Sequence, residues 1–472
     1  MTSSEKPHWS PIKRSEGVTP AERYLKRLCD STFLTLWSYP TVYRDQRSGT
    51  HTIGKEVCDL LVVFGEDIII FSDKYCSFPE TGNLELEWSR WFRHAITKSA
   101  HQAWGAERWI RSYPERLFLD GGCTQRFPFS VPSRQARFHL VVVAHDVARR
   151  CAQELGGSGS LMIDTDLRGA SNHCIPFMIG DLDPRKSFIH VLDDASLNIL
   201  LQTLDTISDF TAYLRKKEEL LRSGKTIAAA GEEELLACYL KDMNSNGEHD
   251  FVFPEEFNCI ILEEGFWKAF EKNPQRLAQI KANDVSYLWD RLIETFNYNA
   301  LNGTQEYCWP AAVTTIETTM RFLARESRTR RRMLGRAIEE ILASTPPNIR
   351  ALRVIVPSKI GYPYYVFLLF PVSPKHSYET NRTARLNYLK ACCQVTKTKF
   401  PEALDIVGIA TESGIDNQSR SEDAVYINAR CWTDENDRTA RALQQELGIL
   451  VSPTQMRGME REYPDVATSN SI

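Results

Sequence analysis

The sequence predicts a multidomain α/β protein, and three observations carry that prediction. The chain has 472 residues, more than one ordinary hydrophobic core accommodates, so two or three domains are expected. Its N-terminal third reads as helix, three strands, helix, strand. After the Pro346-Pro347 break, strand candidates alternate with helices once more. The expected divisions are an α/β domain over 1–160, a mainly helical middle region over 161–345, and a second α/β or α+β domain over 346–472.

Each element has a local reason. Thr19-Pro20-Ala21-Glu22 supplies an N-cap and a proline at the first helical position, and apolar residues follow at 25, 28, 33, 36 and 37, predicting a helix over 20–37. An extended piece, Thr41 to Arg44, leads into a polar loop rich in Gly, Ser and Thr. Residues 57–64 and 67–74 are apolar and β-branched runs joined by Gly65-Glu66, a two-residue hairpin signal. Both runs are apolar on both faces, which places the hairpin centrally in its sheet. A long amphipathic helix is predicted from Trp88 to Arg111, and a buried strand over 137–144. Gly156 to Ser160 reads as a turn, and short strands near 161–163 and 188–192 extend the first domain. Residues 195–345 carry helical periodicity without a fixed repeat. In the last region strands are expected at 351–356, 364–370, 406–410 and 424–427, with helices near 383–398 and 437–447.

Composition excludes several classes. An apolar fraction of 42% and a charged fraction of 25% are those of a soluble globular chain, and no run is long enough to span a membrane. The start MTSSEKPHWSPIKR lacks an apolar signal-peptide core, so a cytoplasmic location is expected. Twelve scattered cysteines without any C-x-x-C spacing argue against a zinc ribbon or a disulfide framework. A net charge of −4 excludes a histone-like binder, yet residues 1–150 hold four more Lys and Arg than Asp and Glu, which permits a nucleic-acid partner.

The chemistry concentrates in the predicted hairpin. A two-residue turn sets Asp59 opposite Ser72, with Lys74 farther along the same face among Leu61, Val63, Ile68 and Ile70. Charge in such apolar surroundings is costly by several kcal/mol unless it is paired or binds a metal. Phosphodiester hydrolysis needs carboxylates to hold a divalent ion and a cation near the attacking water.

A helix bearing a carboxylate, a strand with Asp, a strand ending in an acid, any residue and Lys, and then a helix is the pattern of the PD-(D/E)xK nuclease superfamily, which this region resembles over about a third of the chain. The resemblance implies a restriction-endonuclease-like three-layer αβα core, cleavage of DNA, and Mg²⁺ or Mn²⁺ as cofactor. It matches Asp59 to the metal-binding Asp, Lys74 to the catalytic Lys and Glu22 to the helical carboxylate. Lys98 and Gln102 fall where relatives place polar residues near the substrate. One departure stands out: the second acid is Ser72, with Asp73 one place late. A β-bulge at Ser72 or Asp73 would turn Asp73 inward as the second metal ligand; otherwise Glu56 or Glu22 must supply the oxygen, or the fold serves as a non-catalytic binding module.

Two further features are functional candidates. Arg325, Arg328, Arg330, Arg331, Arg332 and Arg336 crowd one stretch, and Arg328, Arg331 and Arg332 form a stripe able to track a phosphate backbone or to serve an ion-pair surface. Glu412, Glu422 and Asp423 place acids at strand ends. Expected partners are nucleic acid, DNA first, and a second copy of the chain in a homodimer.

Overall fold

The computed structural model describes residues 10–45, 54–132, 134–304, 308–310, 312–413, 420–456, 458 and 460–465. The polar loop expected after Arg44 lies mostly outside these residues. The protein is mixed α/β, and it divides between Lys281 and Ala282 into two compact units.

The unit Lys13–Lys281 contains α1 (Pro20–Phe33), β1 (Ser38–Asp45), β2 (Gly54–Phe64), β3 (Asp67–Lys74), α2 (Leu84–Trp91), a π-helical stretch Phe92–Thr97 and α3 (Lys98–Ser112). It continues through β4 (Leu117–Phe118), β5 (Arg137–Ala144), α4 (Ala148–Leu155), β6 (Met162–Arg168), β7 (Met178–Asp181), β8 (Ile189–Asp193), α5 (Asp194–Thr203) and α6 (Ile207–Leu221). β9 (Thr226–Ala229), α7 (Glu232–Lys241), β10 (Cys259–Leu262), α8 (Phe266–Glu271) and α9 (Pro274–Asn283) follow, the division falling within α9.

A six-stranded sheet in the order β4-β1-β2-β3-β5-β8 puts the β2/β3 hairpin at its centre, as its apolar faces require. The hairpin has the predicted register, with Leu60 opposite Phe71 and Phe64 opposite Asp67. Two helical layers cover it. Phe33 of α1 packs on Phe71 at 6.1 Å between ring centroids, while Arg111 of α3 lies over the Phe138 ring of β5, a residue on the opposite face. α1 is shorter than its periodicity predicts because Leu34, with φ 67°, ends it before the strand begins.

The expected boundary at 160 is not where the chain divides, since β8 returns past it to complete the first sheet. The region after 160, expected to be mainly helical with short strands near 161–163 and 188–192, holds further strands. A second, four-stranded sheet in the order β10-β9-β6-β7 occupies it, with its own core around Ile227, Leu235, Ile260 and Leu262. Those strands have four to seven residues, too short to show a period against the helices around them.

The unit Ala282–Pro464 comprises α10 (Tyr287–Asn302), β11 (Cys308–Trp309), α11 (Val313–Ala324), α12 (Arg328–Ser344), β12 (Ala351–Ile355), β13 (Tyr364–Phe370), α13 (Tyr378–Lys399), β14 (Asp405–Glu412), β15 (Asp423–Asn428) and α14 (Asp434–Leu447). Its sheet order is β11-β15-β14-β13-β12, and α13 buries Leu389, Cys392 and Cys393 against it. The expected boundary at 345 falls inside this unit because Trp289 of α10 packs edge-on against Tyr365 and Phe367 of β13. Among the described residues no helix is long and apolar enough to cross a membrane.

Candidate active site

The site forms where β2 and β3 part. Their ladder ends at Leu60 and Phe71, while β3 continues alone alongside β5 as far as Lys74 and Ala144. The Asp59 carboxylate fills the gap, its Oδ2 accepting the backbone N–H of Asp73 at 2.7 Å.

The irregularity expected in β3 occurs in β2. The parallel register of β3 on β5 is unbroken from Asp67 to Lys74, so no bulge turns Asp73, and strand alternation sends its side chain to the α1 face. There its Oδ1 hydrogen-bonds His145 Nε2, and it is 2% exposed. Asp73 as second metal ligand is therefore corrected. On the other edge, β1 and β2 pair as Val42 with Cys58 and then Tyr43 with Glu56, skipping Val57. That extra residue moves Glu56 onto the side of Asp59, three positions away, where regular alternation would oppose them.

The consequence is electrostatic. Burial pushes the Asp59 carboxyl up to about 8, and the neighbouring Glu56 charge adds to this against the opposing hydrogen bond from Asp73 N–H. Burial also raises the Glu56 carboxyl, with the Glu22 charge contributing and its contact with the Asp59 side chain opposing. Two such carboxyls titrate as a pair and share a proton in the absence of a cation.

The other candidates divide clearly. Ser72 lies on the Asp59 face, 1% exposed, with its hydroxyl lacking a partner. Lys74 lies on the same face, and among the described residues no ion pair joins it to Asp59 or to any other carboxylate, which removes the structural pairing that would otherwise explain both. Glu22 does not reach the pair as a ligand. Its carboxylate accepts the Val18 N–H at 2.7 Å and the Thr19 hydroxyl at 3.0 Å, while Thr19 caps the Glu22 N–H, so it closes the first turn of α1. Lys98 and Gln102 are exposed on α3. Lys98 Nζ lies 2.9 Å from His94 Nδ1. His94 is held below its ordinary value first by Lys98, then by burial and by Arg93 and Lys74, which disfavours its protonated form. Sequence reasoning missed His94, although its i, i+4 spacing to Lys98 was available as a signal.

The arginine stripe is corrected too. Arg328 is 7% exposed, and Arg331 and Arg332 are fully buried. Asp290 accepts from Arg328 at 2.7 Å and from Arg331 at 2.6 Å, and Arg332 donates to the Glu462 carbonyl at 3.2 Å. No phosphate backbone reaches these groups in the folded chain. The acids at the C-terminal strand ends are likewise internal: Arg385 pairs with Glu412 at 2.6 Å and with Asp423 at 2.5 Å.

Among the described residues no three His, Cys, Asp or Glu side chains converge as a ready-made metal site. Magnesium, however, is commonly held by one or two carboxylates and several waters, a requirement that the Asp59 and Glu56 pair fits. No protein-family model matches the chain, and no curated protein matches it.

Proposed function

We propose that the unit Lys13–Lys281 is a PD-(D/E)xK-like, metal-dependent nuclease that hydrolyses DNA phosphodiester bonds. The observation that carries this reading is the juxtaposition of Asp59 and Glu56 on the sheet face of Lys74, which among the described residues makes no ion pair, at the end of the central hairpin. Asp59 is partly buried and Glu56 exposed; two carboxyls held close enough to share a proton destabilise the folded state once both ionise, and a divalent cation relieves that cost. Asp59 and Glu56 would hold Mg²⁺ or Mn²⁺, which would polarise a phosphate oxygen and activate a water. Glu56 thereby fills the acid position that Ser72 leaves open. Lys74 orients the attacking water or stabilises charge on the phosphate, and the proton released from that water passes to solvent. The helices on both faces of the sheet support the three-layer core that the resemblance implies.

The test is cleavage. The purified full chain should cut DNA with Mg²⁺ or Mn²⁺ and not with EDTA, and Asp59→Ala, Glu56→Gln and Lys74→Ala should each lower the rate by about 10²-fold or more while the protein remains folded. Intact DNA with both metals, from a chain that still binds it, would replace this reading with that of a non-catalytic binding module.

A further inference from the structure

A cleft of about 370 Å³ opens beside α3, lined by Ala100, His101 and Trp104 from that helix and by residues 168–171 and 182–186 from the loops flanking β6 and β7. Its volume is that of a small-ligand site. Three cations line it, Arg168, Arg185 and Lys186, against one carboxylate, Asp183. Both rims are fixed to the helical layer. On one side the Trp88 indole donates to the His173 carbonyl at 2.9 Å, and the His173 ring lies 3.0 Å from the Gly169 carbonyl. On the other, the Trp104 indole donates to the Ser187 carbonyl at 2.8 Å, and the Ser187 hydroxyl donates to Glu107 at 2.7 Å.

The cations are placed but not sealed. Lys186 Nζ lies 4.1 Å over the Trp104 ring and 3.1 Å from Asp183, and the Arg185 side chain, also paired with Asp183, is 90% exposed. Arg185 and Lys186 are exposed, so solvent screens their pairing with the more sheltered Asp183 and a phosphate competes for them. Lys98, tied to His94, is one helical turn from His101 and Gln102 on the same helix, so α3 carries both the Lys98 end and one wall of the cleft.

We propose that this cleft binds the phosphodiester backbone of the DNA strand leaving the active site, with Arg168, Arg185 and Lys186 as the phosphate contacts. The proposal rests on the nuclease reading for its substrate, but its test separates the two. Affinity of the full chain for a 5′-fluorescein 20-nucleotide single strand is measured by anisotropy in Ca²⁺, across a salt series, and hydrolysis is followed on that strand in Mg²⁺ and on bis(4-nitrophenyl) phosphate, which is too small to span both sites. The triple variant R168A/R185A/K186A should bind at least about 10-fold more weakly, with a salt slope smaller by about 2, and should keep its activity on the small diester. Asp183→Asn, which retains an acceptor for Arg185, should bind more tightly by a few-fold. Unchanged affinity and slope in both variants, with a wild type that binds, overturns the cleft and leaves the nuclease standing. Binding through the cleft without hydrolysis of either substrate supports the cleft and removes the nuclease. A wild type that fails to bind the strand overturns the cleft directly.

Discussion

The arginines of α12 and the carboxyls of β2 are both dense in charge, and they differ in what faces that charge. Around Arg328 and Arg331, Asp290 answers two guanidiniums at 2.6 to 2.7 Å, and although burial works to raise its carboxyl, Arg331 and Arg328 hold it below its ordinary value. Around Asp59 burial pushes the carboxyl up to about 8, the neighbouring Glu56 charge adds to the rise, and among the described residues no cation pairs with it. A paired buried charge is a structural element, whereas two acids brought together without a cation among the described residues are a candidate binding site. Charge density in the sequence was the same kind of signal in both places; the partner decides which is a site.

The largest effect that could break this comparison lies in the arginine region. Asp290→Ala removes the carboxylate that the buried Arg328 and Arg331 guanidiniums share and should destabilise the chain by about 3–5 kcal/mol in denaturant unfolding. A loss below 1 kcal/mol would mean that the arginines are free to act elsewhere. DNA affinity at a temperature where the variant is folded should be unchanged.

A smaller, opposite effect is expected at Asp59. Its folded pKa lies above that of the unfolded chain, so its contribution to stability is fully present below about pH 4 and is lost as pH rises through about 8. In EDTA, Asp59→Asn removes this loss while keeping an acceptor for the Asp73 N–H. The variant's melting temperature minus that of wild type should therefore climb between pH 5 and pH 9, by about 5 °C or more. A flat difference across that range contradicts the raised carboxyl.

Ser72 sharpens the comparison at the scale of a single atom. Its buried hydroxyl has no partner among the described residues, so Ser72→Ala should be neutral or slightly stabilising, within about 1 kcal/mol, where loss of a satisfied buried hydrogen bond would cost more. Marked destabilisation would show that the hydroxyl is hydrogen-bonded in solution.

Much of this was legible in the sequence. Gly65-Glu66 and the apolar runs on either side set the hairpin, its register and its central place, and from these followed the shared face of Asp59, Ser72 and Lys74. The bulge was legible only as a need. A variant motif required one irregularity, but nothing local distinguishes Val57 from Asp73 as its seat; the parallel neighbour β5, distant in sequence, holds β3 regular. The arginines misled because burial comes from Asp290 and from residues 460–462, which are separated from them by tens of residues or more. Apart from the start of β6, read near 161–163, the four-stranded sheet escaped for a similar reason: its strands are short and their pairings are set by tertiary neighbours.

The central claim, that Asp59 and Glu56 exchange a shared proton for a divalent cation, is tested most directly by thermal unfolding of the full chain in EDTA and in Mg²⁺ at pH 6, 7 and 8. Mg²⁺ should raise the melting temperature of the wild type, more at pH 8 than at pH 6 because the proton competes with the cation, and should leave Asp59→Asn and Glu56→Gln unchanged. A wild type indifferent to Mg²⁺ at every pH, or the same rise in both variants, would contradict the account.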